Sequence, residues 1–224
     1  MGRLEKIEKG LEHMKNNRYD EAAKQFTEHI NDHPDDPIGY VNFGNLLLSI
    51  NEFDRAKNFY EKALSIDEKS LSAHYNLGNL YYELEKFQEA ATHYQKAIQF
   101  GFDDADAYFM LGMSLMNNEQ TKLALPYLKR ATELNENDVD SLFYYGLACA
   151  YTDQVDEAFT QFDRVLKLDK NHTDAHYNIG VIYTYKDKYD EALAHFDRAI
   201  EIQPDHYLAN NGKKQIEKLL NNEI

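Results

Sequence analysis

The sequence has no tryptophan, one cysteine, four prolines and ten glycines in 224 residues. With Cys149 alone, no intrachain disulfide can form, which fits a reducing compartment. So few breakers over so long a chain favour helices joined by short turns. No run approaches the ~18 apolar residues that a bilayer crossing needs, so no membrane partner is expected. The opening stretch MGRLEKIEKGLEHMKNN holds no apolar segment of signal-peptide type. Lys6 also spoils the myristoylation pattern that Gly2 would open. A cytoplasmic location is the simplest expectation. Basic residues are scarce too: 24 Lys and Arg stand against 39 Asp and Glu, a formal charge of −15. That excess opposes nucleic acid and suits a basic partner. Phosphate loop, nucleophile elbow, Cys-x-x-Cys and His-Glu-x-x-His are all missing, so no enzyme, cofactor or metal is expected.

What is present is a period. Six glycines, Gly10, Gly44, Gly78, Gly112, Gly146 and Gly180, follow one another at intervals of 34 residues. Twelve residues beyond each stands an alanine: Ala22, Ala56, Ala90, Ala124, Ala158 and Ala192. Four further on comes a large apolar residue: Phe26, Tyr60, Tyr94, Leu128, Phe162 and Phe196. Three columns in register over six copies, without an insertion, define a tandem repeat. Numbering positions 1–34 within each copy, the copies span residues 3–36, 37–70, 71–104, 105–138, 139–172 and 173–206. The glycine is position 8, the alanine position 20 and the large residue position 24. Positions 4, 7, 8 and 11 share one helical stripe, and positions 20, 24 and 27 share another. Each copy therefore reads as two antiparallel helices, A and B. Small residues at positions 8, 20 and 27 let them approach, and stacking of neighbours completes a core that one pair cannot bury.

Copy three reads Ala73-His74-Tyr75-Asn76-Leu77-Gly78-Asn79-Leu80-Tyr81-Tyr82, then Phe87, Glu89-Ala90, Tyr94 and Lys96-Ala97. This resembles the tetratricopeptide repeat, and the resemblance covers residues 3–206. It implies an all-α fold, a right-handed superhelical α-solenoid whose A helices line a concave groove that holds a partner peptide or segment. Copy one, with Lys6, His13 and His29 at positions 4, 11 and 27, reads as a solvated N-terminal cap. Residues 207–224 read as a solvating C-terminal helix and tail, with Leu208, Ile216, Leu219 and Leu220 to bury. Pro126, at position 22 of the fourth helix B, predicts a kink or a late helix start.

By the same resemblance, positions 2, 5, 6, 9, 12 and 13 face the groove, and Lys15 is their only cation. Asp106, Asp140 and Asp174 give it an acidic rim, although aspartate in a first turn also suits the helix dipole. Positions 2, 5 and 6 lack the cations with which co-chaperone members of the family hold a terminal carboxylate. Asn42, Asn76 and Asn178 at position 6, with Asn45 and Asn79 at position 9, offer amides able to grip a peptide backbone, and are also common in the family. Tyr82 joins this set. Phe109, Met110, Met113 and Met116, followed by Phe143, Tyr144, Leu147 and Tyr151, are expected to form an adaptable apolar surface for hydrophobic side chains. The expected function is a non-enzymatic, monomeric scaffold for a protein or peptide partner with basic and apolar residues. The alternative is self-association, with another copy filling the groove; RNA binding ranks below both.

Nine histidines raise the question of metal, but His74 and His176 share position 4, His93 and His195 position 23, and His172 and His206 position 34. The repeat accounts for these six as structural choices. Cys149, on the packing stripe at position 11, reads as a small buried hydrophobe.

Overall fold

The computed structural model describes residues 4–221. The expected start of copy one at Arg3 and the tail at 222–224 lie outside them. Among the described residues the chain is helical throughout, with helices A and B alternating. The A helices are α1 (Glu5–Lys15), α3 (Pro37–Ser49), α5 (Leu71–Glu83), α7 (Ala105–Asn117), α9 (Val139–Tyr151) and α11 (Thr173–Tyr185). The B helices are α2 (Tyr19–Asp32), α4 (Phe53–Ile66), α6 (Phe87–Gln99), α8 (Thr121–Leu134), α10 (Val155–Leu168) and α12 (Tyr189–Ile202). A final helix, α13 (Tyr207–Leu220), begins 34 residues after α11 and so stands at a helix-A station.

Local chemistry sets these boundaries. The residue before each later A helix is a cap whose side chain accepts a backbone N–H of the first turn: Asp36, Ser70, Asp104, Asp138, His172 and His206. Such caps satisfy donors that the helix cannot. The two imidazole caps accept through Nδ1, from Ala175 N–H at 3.2 Å and Ala209 N–H at 3.0 Å. The A-to-B turn closes on a residue in the left-handed region: Asn17, Asn51, Glu85, Glu119, Asp153 or Asp187. In copy one, Asn17 N–H reaches Met14 O at 2.9 Å and Arg18 N–H reaches His13 O at 2.9 Å, the paired bonds of a Schellman ending. Glu85 and Lys86 repeat them on Tyr82 and Tyr81.

The helices form two compact units, the first ending at Asn118 and the second beginning at Glu119. In the first, α1–α7, one core joins Ile7, Phe26, Leu46, Leu47, Tyr60, Leu77 and Leu80. In the second, α8–α13, a core holds Ala192, Phe196, Ala199, Ala209 and Ile216. The repeated alanines at position 20 are fully buried in both. In the five copies with an aromatic residue at position 24, the glycine at position 8 lies under that ring. A Cβ on Gly78 would stand 2.6 Å from Tyr94 Cε1, and one on Gly180 would stand 2.6 Å from Phe196 Cε1. The close approach of A to B is thus an aromatic face laid on bare backbone.

Three expectations need correction. Helix α8 starts at Thr121, the same station as every other B helix, and runs through Pro126. Pro126 is exposed, so the carbonyl left without its N–H partner is close to water, and no late start results. His29 is not solvated: it is 0% exposed, and its Nε2 lies 3.0 Å from Oδ2 of buried Asp36, tying α2 to the cap of α3. Lys6, by contrast, bonds Asp32 at 2.7 Å on the surface. In α13, Ile216 and Ala209 are buried, but Leu208, Leu219 and Leu220 are exposed. A helix-A station buries positions 3 and 10 against the preceding pair. Leu208 and Leu219 stand at positions 2 and 13, which stay exposed in earlier copies at Ile38, Tyr151 and Tyr185 although a B helix follows there.

Candidate interaction faces of the A helices

In the first unit the asparagines divide by register. Tyr60 donates its hydroxyl to Asn45 Oδ1 at 2.8 Å, and Tyr94 donates to Asn79 Oδ1 at 2.7 Å. Both rings are fully buried, and burial raises both phenols far above the usual value. Each amide therefore serves the packing of its own pair by receiving a phenol that has lost water. The sequence carried the signal: position 9 is Asn only where position 24 is Tyr, and it is Leu11, Met113, Leu147 or Val181 where position 24 is Phe or Leu. At position 6, Asn42 Nδ2 donates to Ile38 O at 2.8 Å, within its own helix, and Asn76 is half-buried. Tyr82 accepts from Asn117 Nδ2 at 3.0 Å and meets Phe87 edge-on, joining α5 to α7.

Removing the amide should therefore act on stability. Asn79→Ala is expected to cost about 1–3 kcal/mol by stranding the Tyr94 hydroxyl. Asn79→Leu with Tyr94→Phe, the pairing that copy five uses, should recover most of that. Urea denaturation of the single and double variants reads the difference.

Of the four apolar residues expected on α7, Phe109, Met110 and Met116 are half-buried, whereas Met113 is buried at 9% exposure. Met113 therefore belongs to packing more than to an open surface. Asp106 is exposed in the first turn of α7, where its backbone N–H bonds the cap Asp104 at 3.0 Å.

The second unit has the more open face. On α9, Phe143 turns inward, its ring 5.6 Å from Phe162 and 4.7 Å from His172. Tyr144 and Leu147 are half-buried, Asp140 is exposed and Tyr151 is 71% exposed. On α11, Asn178 Nδ2 donates to Asp174 O at 2.7 Å. The Asp174 carboxylate accepts from His206 Nε2 at 3.0 Å, so this rim acid also ties α11 to α13. Tyr185, at the same repeat position as Tyr151, is 76% exposed.

Between α11 and α13 lies a cleft of about 360 Å³, lined by Tyr177, Val181, Thr184, Leu208, Asn211, Gln215 and Leu219, with Phe196, Gly212 and Ile216 at its floor. Burial raises the Tyr177 phenol, and the neighbouring Tyr151 adds to the shift. The sequence reading missed this cleft because it assigned the α13 leucines to a core. The available signal was the register, which puts Leu208 and Leu219 at positions 2 and 13 on the groove side.

Elsewhere the chemistry is quiet. Cys149 is buried, and burial pushes its thiol up to about 11, which removes it as a nucleophile near neutrality. Among the described residues no three His, Cys, Asp or Glu side chains converge on a metal position. No helix there is long and apolar enough to cross a membrane.

Paired helices repeated at a fixed period, with A-helix faces left partly open, define an interaction scaffold. Matches to the tetratricopeptide repeat fall at residues 72–100, 173–206 and 105–138, and a further TPR repeat match falls at 44–85. The chain belongs to the tetratricopeptide-repeat family. Among solved structures it is similar to YrrB, a TPR protein with an unusual peptide-binding site, at 47% identity and a TM-score of 0.83, over 86% of this chain and 99% of that one. It is similar to MamA at 25% identity and a TM-score of 0.68, over 72% and 94% of the two chains. With pilF of Pseudomonas aeruginosa it shares the fold at 15% identity and a TM-score of 0.77, over 95% and 97%. No curated protein matches the chain.

Proposed function

We propose that the chain is a non-enzymatic scaffold that holds an extended or helical segment of a partner protein on its A-helix faces. The observation that carries this reading is the second unit's exposed apolar side chains: Val181, Leu208 and Leu219 line the α11–α13 cleft, and Tyr151 and Tyr185 stay exposed on α9 and α11. Exposed aromatics and leucines grouped on one face, next to a cleft, mark an interaction site more than chance exposure does. The similarity to YrrB, whose structure has a peptide-binding site, supports the same role. Acidic Asp106 on the first unit and Asp140 on the second favour a partner with lysine or arginine beside its apolar anchors. Phe109, Met110 and Met116 would serve the first unit's own face; Tyr144, Leu147 and Tyr151 would serve the second's. The buried free thiol suits a reducing compartment such as the cytoplasm.

The test is a triple variant, Tyr151→Glu with Tyr185→Glu and Leu208→Glu. All three side chains are more than half exposed, so the helical signal and melting midpoint should be retained. Affinity capture from the native host should lose the proteins that the wild type retains. Leu123→Glu, on helix B α8, is the control and should keep them. Equal capture by the triple variant and the wild type would refute the assignment.

A further inference from the structure

Two pairs of imidazoles occupy equivalent stations, one pair in each compact unit. In the first unit His74 Nδ1 on α5 lies 3.1 Å from His93 Nδ1 on α6. His74 Nε2 lies 3.1 Å from the backbone carbonyl oxygen of Glu68. In the second, His176 Nδ1 on α11 lies 3.1 Å from His195 Nδ1 on α12, and His176 Nε2 lies 3.1 Å from the carbonyl oxygen of Lys170. A carbonyl only accepts, so His74 and His176 carry their proton on Nε2 and, when neutral, present a bare Nδ1. His93 and His195 must then donate from Nδ1. Geometry therefore orders each pair into one tautomeric chain, running from helix B to helix A to the turn before helix A.

That order limits what the pair can hold. A first proton can settle on the outer Nε2 of His93 or His195 and leave the bond between the rings intact. A second proton would have to enter at Nδ1 of His74 or His176, setting two N–H groups against each other. We propose that the two pairs are acid-release latches, each clasping helix A to helix B while neutral and letting go when both rings are protonated.

The surroundings reinforce the neutral state. The His93 ring stacks on Tyr81 at 5.4 Å, and His74 packs against Phe100 at 5.5 Å. Burial, helped by neighbouring His74 and Lys96, lowers His93 to about 4. Burial also lowers His74, with Lys96 adding to the effect and the Glu68 carbonyl, Glu68 and Asp67 opposing it. From α4, Lys57 faces Tyr81, and from α7, Asp106 faces Tyr75. In the second unit burial lowers His176, aided by Arg198 and His172 and opposed by the Lys170 carbonyl and Asp169. Burial and His176 lower His195, against Asp163 of α10. Tyr183 lies 5.6 Å from the His195 ring and carries Lys188 over its own face. From α13, His206 meets Tyr177, and Lys213 engages Asp197.

All four values fall in the folded state below the ~6.5 of a free imidazole, so the unfolded chain binds more protons as acid is added. Stability from the neutral rings is therefore complete above about pH 6.5 and is lost as the pH falls below it, for His93 down to about 4. For His93 alone the unfolding equilibrium constant should rise roughly 100-fold over that window.

Urea denaturation between pH 7.5 and 4.5 compares the wild type with His93→Gln plus His195→Gln, whose amides can still donate but cannot titrate. The wild type should lose at least ten times more in the folding equilibrium constant than the variant across this range. Equal losses would overturn the proposal. A second measurement needs no variant. The ¹⁵N shifts of the rings at pH 7 should report Nε2–H on His74 and His176 and Nδ1–H on His93 and His195. Mixed tautomers that titrate near the free-imidazole value would overturn it as well.

Discussion

Ala90→Asp is expected to lower stability by about 3–5 kcal/mol, the largest single effect in the first unit. Ala90 is fully buried on α6, and the next residue, Ala91, is buried too, so a carboxylate there has no short route to water. The alanine column at position 20 exists because the B helix turns that residue directly into the packed stripe. A charge at this point must be desolvated without a partner or must force the pair apart. Circular dichroism during a urea titration measures the cost. An unchanged midpoint would mean that position 20 is not an interior position, and the register of the whole array would be wrong with it.

The second large effect falls on the opposite helix. Gly78→Val should destabilise by about 3 kcal/mol. A Cβ at Gly78 meets Tyr94 at Cε1, Cδ1 and Cζ within 2.6–2.9 Å. The ring has little freedom to retreat, because it is fully buried and its hydroxyl is anchored on Asn79. Gly78→Ala sets two effects against each other: helix propensity favours alanine by about 1 kcal/mol, while overpacking costs about 1–3 kcal/mol. Steric conflict should win by a small margin. Tyr94→Leu, the residue type that copy four carries as Leu128, should relieve the clash in the Gly78→Ala background. That non-additivity, read from a double-mutant cycle, locates the conflict at this one ring.

The architecture was legible because it is written six times. The glycine, alanine and large-residue columns set helix order and register from the sequence alone. The shared positions of His74 with His176, and of His93 with His195, were visible too. That the two columns meet was not, since positions 4 and 23 come together only when helix B folds back on helix A. The asparagines show the reverse problem. Asn45 and Asn79 read as ligand-binding amides, yet the tyrosines at position 24 hold their carbonyl oxygens. Comparison of columns 9 and 24 reveals that pairing in the sequence alone, because each Asn accompanies a Tyr.

The apolar surface was harder to read, because hydrophobicity does not distinguish a groove from a core. Met113 and Phe143 turned out to serve packing, while Leu208 and Leu219 border the open cleft. The difference lies in register: Leu208 and Leu219 stand at positions 2 and 13, which stay exposed at Ile38, Tyr151 and Tyr185 as well. His29 fails for a related reason. A polar residue at a core position looks solvated until a partner such as Asp36 is found for it.

The most direct test of the scaffold reading places a photo-reactive amino acid at single positions and asks which ones touch the partner. Tyr151, Tyr185 and Leu208 report on the A-helix face of the second unit, and Leu123 and Leu168 on its B helices. With the captured partner bound, the first three sites should cross-link to it and the last two should not. Cross-links from Leu123 and Leu168, with none from the A-helix sites, would contradict the account.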